Sequence, residues 1–155
     1  MKAKSPPFLQ LLGSPAAAGV FTVTPEIAND VFQGAAEIGF NVWRIDISPV
    51  RDSRELLSVL GSTLRFPDWY GHNWDALADC LTDLSWCEAD GHILLIPGLA
   101  GLQQRDPSAC QKLLGLLQEV SFLWREDGVA FWVLFEHSET ADLCKLQPLP
   151  VPAGQ

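Results

Sequence analysis

Two short apolar runs constrain the fold of this chain more than any other feature. Residues 92–96 read HILLI, and residues 129–135 read VAFWVLF. Unbroken apolar runs of this length are typical of strands that are buried on both faces. Residues 106–128 between them predict an amphipathic helix, with Asp106 as the N-cap and Pro107 in the first turn. This order of strand, helix and strand predicts a parallel sheet joined by right-handed crossovers.

The rest of the chain continues the alternation of strands and helices. Residues 19–23 predict a short strand, and residues 24–38 predict an N-capped helix that stops at Gly39. Residues 41–48 alternate between apolar and polar side chains and predict a further strand, which a helix starting at Asp52 follows. The predicted fold class is therefore α/β, with helices packed on a mostly parallel sheet.

The length of the chain suits one domain with a segment on either side. A chain of 155 residues can bury most of the surface that its unfolded form exposes, so no second domain is needed. Residues 1–18 lack periodicity and predict an N-terminal arm. Residues 137–155 are polar and then rich in proline, which predicts a poorly ordered tail. Residues 19–136 are predicted to form the domain itself.

The charge of the chain restricts its partners. It has 19 acidic and 10 basic residues, for a formal net charge of -9. Nucleic acids and anionic membranes are poor partners for such a protein, whereas a basic protein would be attracted to it. No apolar stretch is as long as a membrane span, and prolines interrupt the apolar N-terminus, which argues against a secretion signal. Scattered cysteines are typical of reduced thiols, so we expect a cytoplasmic location.

Residues 66–86 combine an aromatic loop with an acidic helix. Trp69 and Tyr70 lie in the predicted loop, and Asn73 is the predicted N-cap of a helix that runs to about Leu84. The apolar residues of one side, which are predicted to face the core, are Trp74, Leu77, Ala78, Leu81 and Leu84. The polar residues of the other side are His72, Asp75, Asp79 and Asp83.

The three aspartates on that side, Asp75, Asp79 and Asp83, form what we call the acidic row. The row disfavours the helix, because each like-charged pair four residues apart costs roughly 0.2–0.5 kcal/mol and Asp83 lies at the negative end of the helix dipole. A solvated helix face explains many such charge runs. Exposed aromatic side chains beside carboxylates instead favour a contact surface for a cationic partner.

Residues 67–81, PDWYGHNWDALADCL, resemble the signature of the barstar family, which are small intracellular inhibitors of secreted bacterial ribonucleases. The resemblance implies a small three-stranded parallel sheet packed by helices over residues 41–135, with the strand and helix before it as an N-terminal extension. It also implies that the loop and the helix plug a ribonuclease active site, with carboxylates where the RNA phosphates would lie. With Asp83 added from the acidic row, the candidate partner-binding residues are Trp69, Tyr70, Gly71, Asn73, Asp75, Asp79 and Asp83.

Within the resemblance, Asp79 matches the dominant aspartate of the family, while Trp69 replaces a tyrosine. At three positions the chain departs from the family pattern, and these departures bear on which type of ribonuclease it would bind. A family tryptophan is Ala78 here, a second one falls near Leu84 or Trp86, and an acidic contact of the third helix falls near Leu123.

Enzymatic and metal sites are weaker interpretations of the same residues. His72, Asp75, Asp79, Cys80 and Cys87 include the residue types of a hydrolytic site, but no nucleophile or phosphate-binding motif is present. The spacing of the cysteines and His92 does not fit zinc ligands. We expect no catalysis, no metal and no cofactor.

The leading hypothesis is thus an immunity-type ribonuclease inhibitor that is monomeric when unbound. The alternative is a regulatory protein-binding module of the same fold whose basic partner is not a ribonuclease. A small hydrolase that uses His72 with an aspartate remains a third, weaker interpretation.

Overall fold

The centre of the protein is a parallel sheet of four strands in the order β1-β4-β3-β2, seen in a computed structural model that describes residues 7–137 and 146–150. The strands are β1 (Val20–Val23), β2 (Phe40–Arg44), β3 (Gly91–Pro97) and β4 (Ala130–Glu136). The predicted α/β class with a parallel sheet is confirmed. The prediction of three strands is wrong.

The additional strand is β1, which pairs with β4. Val20 lies opposite Val133, and Val23 lies opposite Glu136. The side chain of Val23 is buried in the core, and the ring of Phe21 lies 5.7 Å from that of Trp132. The strand that was predicted to belong to an N-terminal extension is therefore a member of the central sheet.

The α-helices within the described residues are α1 (Pro7–Leu12), α2 (Pro25–Gly34), α3 (Ser53–Thr63), α4 (Trp74–Asp83), α5 (Leu99–Arg105) and α6 (Pro107–Glu126). A 3-10 helix, Ala35–Ile38, continues α2 up to Gly39, whose φ of 75° ends it as predicted. The sequence analysis missed α1 and α5. None of the described helices combines the length and the hydrophobicity that crossing a membrane requires.

The helices form one layer on each face of the sheet. One hydrophobic core lies between the sheet and α3 to α6, and a second lies between the sheet and α1 and α2. Alternate residues of β4 enter the two cores, with Phe131 and Val133 in the first and Trp132 and Leu134 in the second. The prediction that this strand is buried on both faces is confirmed.

The segments outside the predicted domain also contribute to packing. In the predicted arm, Leu12 is buried, and its carbonyl accepts a hydrogen bond of 2.7 Å from the indole N–H of Trp132. In the predicted tail, Leu149 is buried in the same core. Residues 146–150 of the predicted tail thus pack on the sheet, while residues 1–6, 138–145 and 151–155 lie outside the described part of the chain. The poor order expected of the tail stays a prediction.

His92 is a buried titratable residue near the start of β3, an inner strand of the sheet. Its ring centroid lies 5.1 Å from that of Trp124 and 5.9 Å from that of Trp43, and its Nδ1 atom is 3.4 Å from the Asn41 amide nitrogen. Phe131 on the neighbouring strand completes the aromatic surroundings. Burial lowers the pKa of His92 from its ordinary 6.5 to about 4.

We expect His92 to destabilise the fold in acid. Because its pKa is lower in the folded state, the fold favours the neutral ring. The part of the free energy of unfolding that comes from the neutral ring is fully present above pH 6.5, and it is lost as the pH falls to about 4. The loss amounts to about 3 kcal/mol, since a tenfold change in proton affinity is about 1.4 kcal/mol. Urea unfolding across this pH range measures it.

The control for this prediction is His92→Phe, which keeps an aromatic ring and cannot titrate. Its free energy of unfolding should fall by about 3 kcal/mol less than that of the wild type over the same pH range. Equal losses in the two proteins would contradict the prediction.

Candidate protein-binding site

The signature loop, residues 65–73, connects α3 to α4 and displays an indole at its tip. The backbone N–H of Tyr70 donates to the carbonyl of Pro67 over 2.9 Å, which closes a turn. Trp69 lies in this turn with 56% of its surface exposed. His72 then takes a left-handed φ of 54°, and the chain enters α4. The predicted exposure of Trp69 is confirmed, and Gly71 is exposed as well.

Tyr70 turns inward, which corrects the prediction that it shares the open surface with Trp69. Its side chain is 6% exposed, and its hydroxyl donates to the carbonyl of Leu57 on α3 over 2.8 Å. The ring packs so closely on Gly61 that a Cβ atom there would lie 2.5 Å from a ring carbon. Burial raises the pKa of Tyr70 to about 12. Tyr70 therefore fastens the loop to the core.

Asn73 begins α4 as predicted. Its side-chain oxygen accepts a hydrogen bond of 2.7 Å from the backbone N–H of Ala76, while its own backbone is extended. At the other end, Leu84 adopts a left-handed φ of 47° and stops the helix. The predicted boundaries of the helix are thus confirmed to within one residue.

We expect the Asn73 cap of α4 to contribute to the free energy of unfolding. Replacing Asn73 with alanine should lower the free energy of unfolding by about 1 kcal/mol, because the N–H of Ala76 loses its partner. Asn73→Asp keeps the oxygen and should retain stability. Chemical denaturation measures both variants, and an alanine variant as stable as the wild type would contradict the assignment of a cap.

The acidic row lies on the outer side of α4. Its three side chains are exposed, whereas Leu77, Cys80 and Leu81 on the inner side are buried. Residues four apart lie nearly above one another on a helix, so the carboxylates form one continuous stripe. The apolar inner side holds this stripe in a fixed orientation beside the signature loop.

Within the described residues, no ion pair joins the acidic row to a basic residue of the chain. The ion pairs found there are Arg44 with Glu136 at 2.8 Å and Arg51 with Glu55 at 2.6 Å. Both lie outside α4 and the signature loop. The carboxylates of the row therefore remain available to a partner.

Cys80, on the inner side of α4, is poorly suited to act as a nucleophile. Its thiol is buried, and desolvation, followed by the nearby charges of Asp79 and Asp83, raises the pKa of Cys80 to about 11. A thiol of this kind is a weak nucleophile at neutral pH. Across residues 7–137 and 146–150, no cluster of three metal-ligating side chains is found.

A groove between α4 and α6 adds residues that the sequence analysis missed. It has a volume of about 400 Å³. Its lining residues are Trp74, Asp75, Ala78, Lys112, Leu116 and Glu119. Glu119 is exposed and adds a carboxylate on α6, where the exposed Lys112 carries the opposite charge. One face of α6 carries Lys112, Leu116 and Glu119, as their spacing of four and three residues requires. This pattern is weaker than the apolar stripe of α6 and was therefore not recognised.

The structure also shows where the residues lie at which the chain differs from the family signature. Leu84 is buried, and Trp86 is half-buried with its indole N–H 3.4 Å from the carbonyl of Leu64. Leu123 is 45% exposed on α6. Trp86 thus packs against the core, and Leu123 leaves an apolar side chain exposed on α6.

The comparison with known families covers both the sheet and the acidic helix. The family model for barstar, described as a barnase inhibitor, matches residues 40–136. No curated protein sequence matches the chain. The matched stretch includes β2, β3 and β4 together with the signature loop and α4, and it amounts to more than half of the 155 residues. A continuous match of this extent shows that the chain belongs to the barstar family.

Proposed function

We propose that this protein binds and inhibits a ribonuclease by inserting Trp69 and the acidic row into its active site. The observation that carries the proposal is the row itself, whose three carboxylates are exposed and, within the described residues, have no basic partner. Membership in a family described by inhibition of a ribonuclease supports the same conclusion.

The chemistry of inhibition follows from the charges. A ribonuclease holds RNA phosphates with arginine and lysine side chains, and these can donate charge-assisted hydrogen bonds to carboxylates in the same way. Asp75 lies in the first turn of α4 and Asp79 one turn further, so both can reach a single cationic pocket. Inhibition is steric and electrostatic, and no covalent bond forms or breaks.

The net charge contributes to the speed of association. The formal charge of -9 attracts a basic enzyme over distances longer than contact, which raises the association rate at low salt. Salt screens this attraction with a Debye length of about 10 Å at 0.1 M. We therefore expect inhibition to be reached more slowly as the salt concentration rises.

The groove between α4 and α6 supports a partner surface that extends beyond the acidic row. Ala78 leaves space beside Trp74, and Glu119 adds a carboxylate on the far wall. The lining also contains Lys112, so the rim of the groove carries charges of both signs and does not by itself select a basic side chain.

Cleavage of RNA by purified barnase, measured with and without this protein, tests the proposal. We expect cleavage to stop at about one equivalent of the inhibitor. Asp30→Ala serves as the matched control, since Asp30 is an exposed aspartate on α2, which packs on the opposite face of the sheet. This variant should inhibit as well as the wild type.

A second experiment separates the two binding hypotheses if barnase is not inhibited. Basic proteins that bind the wild type, but not a variant lacking Asp75 and Asp79, are collected from the natural source and assayed for RNA cleavage. A captured nuclease that the wild type inhibits supports the proposal. A captured basic protein without nuclease activity supports the regulatory binding module instead.

A further inference from the structure

The edge of the sheet at β1 carries backbone groups that point away from the other strands. Toward β4, the carbonyls of Gly19 and Val23 accept hydrogen bonds from the N–H groups of Val133 and His137. The N–H and C=O of Thr22 face the opposite direction. An edge of this kind invites the addition of another strand, including one from a second copy of the chain.

Residues 146–150 pair with this edge at Thr22. The N–H of Thr22 donates to the carbonyl of Gln147 over 2.9 Å, and the N–H of Leu149 donates to the carbonyl of Thr22 over 2.8 Å. Together these bonds make a parallel bridge between Thr22 and Pro148. Both outward backbone groups of Thr22 are therefore satisfied from within the chain.

Two leucines hold this segment from both sides of the sheet. Leu149 is 6% exposed and belongs to the core beneath α1 and α2. Leu146 packs against the core on the other face, beneath α3 to α6. The segment therefore straddles the edge and is anchored by burial as well as by hydrogen bonds.

Two of the three outward positions of this segment lack a hydrogen-bond donor, and the third is Leu146. In a parallel bridge, the residue opposite Thr22 turns its own backbone nitrogen and oxygen away from β1, and the position two residues further does the same. Those positions are Pro148 and Pro150, which have no N–H group. A further strand would find no donor at either position, and proline at such a position is a known means of closing a sheet edge.

We propose that residues 146–150 are an edge cap that fills the strand-addition site of β1, and that a second copy of this chain binds there when the cap is released. The inference does not depend on inhibition of a ribonuclease, because β1 and the cap lie outside the matched residues 40–136.

Leu149→Asp in the full-length chain tests the proposal, since a buried anchor becomes charged and the cap should detach. We expect the Thr22 amide to exchange with deuterium at least about tenfold faster. We also expect dimers that increase with concentration in sedimentation velocity. Slow exchange of the Leu95 amide in β3 would show that the sheet remains folded in the variant. Leu149→Ala is the milder variant, and Gln147→Ala, which keeps the bonding carbonyl, is the control.

A second variant tests the two prolines separately, because it leaves the cap bonded to Thr22 and restores N–H groups on the outer side of the cap. Pro148→Ala combined with Pro150→Ala keeps both bonds to Thr22 and both leucines, so Thr22 should stay protected. It restores two outward N–H groups and should self-associate. A monomeric double variant would overturn the role of the prolines.

Two results from the Leu149 variants would overturn the proposal. Unchanged exchange at Thr22 in both of them would show that residues 146–150 do not hold the edge. Faster exchange without any dimer, at all concentrations measured, would show that a second copy does not bind there.

Discussion

Replacing Asp79 with alanine should weaken the complex with the inhibited ribonuclease by about 4 kcal/mol, or about a thousandfold in Kd. Asp79 is central in the acidic row and exposed, and it has no basic partner among the described residues. Its removal leaves a desolvated cationic pocket of the enzyme without a counter-charge. The magnitude is that of interface hot spots in general, for which the barnase–barstar complex is itself a standard example. Isothermal titration calorimetry measures the loss.

The same variant should fold as well as the wild type. Asp79 lies four residues from both Asp75 and Asp83, so its removal relieves two like-charged pairs of roughly 0.2–0.5 kcal/mol each. Asp30→Ala makes the same change of charge away from the site and should leave the Kd unchanged. An affinity of Asp79→Ala equal to that of the wild type would remove this residue from the interface.

Replacing Tyr70 with alanine should instead lower the free energy of unfolding by about 4 kcal/mol, the loss typical of a large buried aromatic side chain. The ring contacts Gly61 and lies 4.8 Å from the ring of Phe66, and its hydroxyl bonds the carbonyl of Leu57. The truncation removes all three contacts and leaves a cavity under the signature loop. Urea denaturation measures the effect.

Tyr70→Phe separates the structural role from a role in binding. It keeps the packed ring and loses only the hydrogen bond to Leu57, so stability should fall by about 1 kcal/mol and inhibition should be retained. If Tyr70→Phe were as stable as the wild type and lost inhibition, Tyr70 would contact the partner after all.

Much of the fold could be predicted because the signals are local. The apolar runs of β3 and β4 and the Asn73 cap are properties of neighbouring residues, and the structure has all of them. The missed helix α5 has a local reason as well. It spans seven residues, Leu99–Arg105, which is too short for apolar periodicity to be recognised.

The candidate site was predictable to a different degree on the helix and in the loop. On α4, the spacing of four residues determines that Asp75 and Asp79 share a side, whatever the rest of the chain does. In the loop, neighbouring aromatic residues can point in opposite directions. Trp69 faces solvent, and Tyr70 faces the core. Glu119 was missed because its proximity to Asp75 depends on how α6 packs against α4.

The amino-acid sequence by itself determined where the strands and the longer helices lie and which side of α4 carries the carboxylates, because both follow from the periodicity of adjacent residues. Only the tertiary structure decided that Tyr70 reaches back to Leu57 and that Gln147 pairs with Thr22. These contacts join segments that are separate in the chain, and their geometry depends on the packing of the whole sheet and its helices.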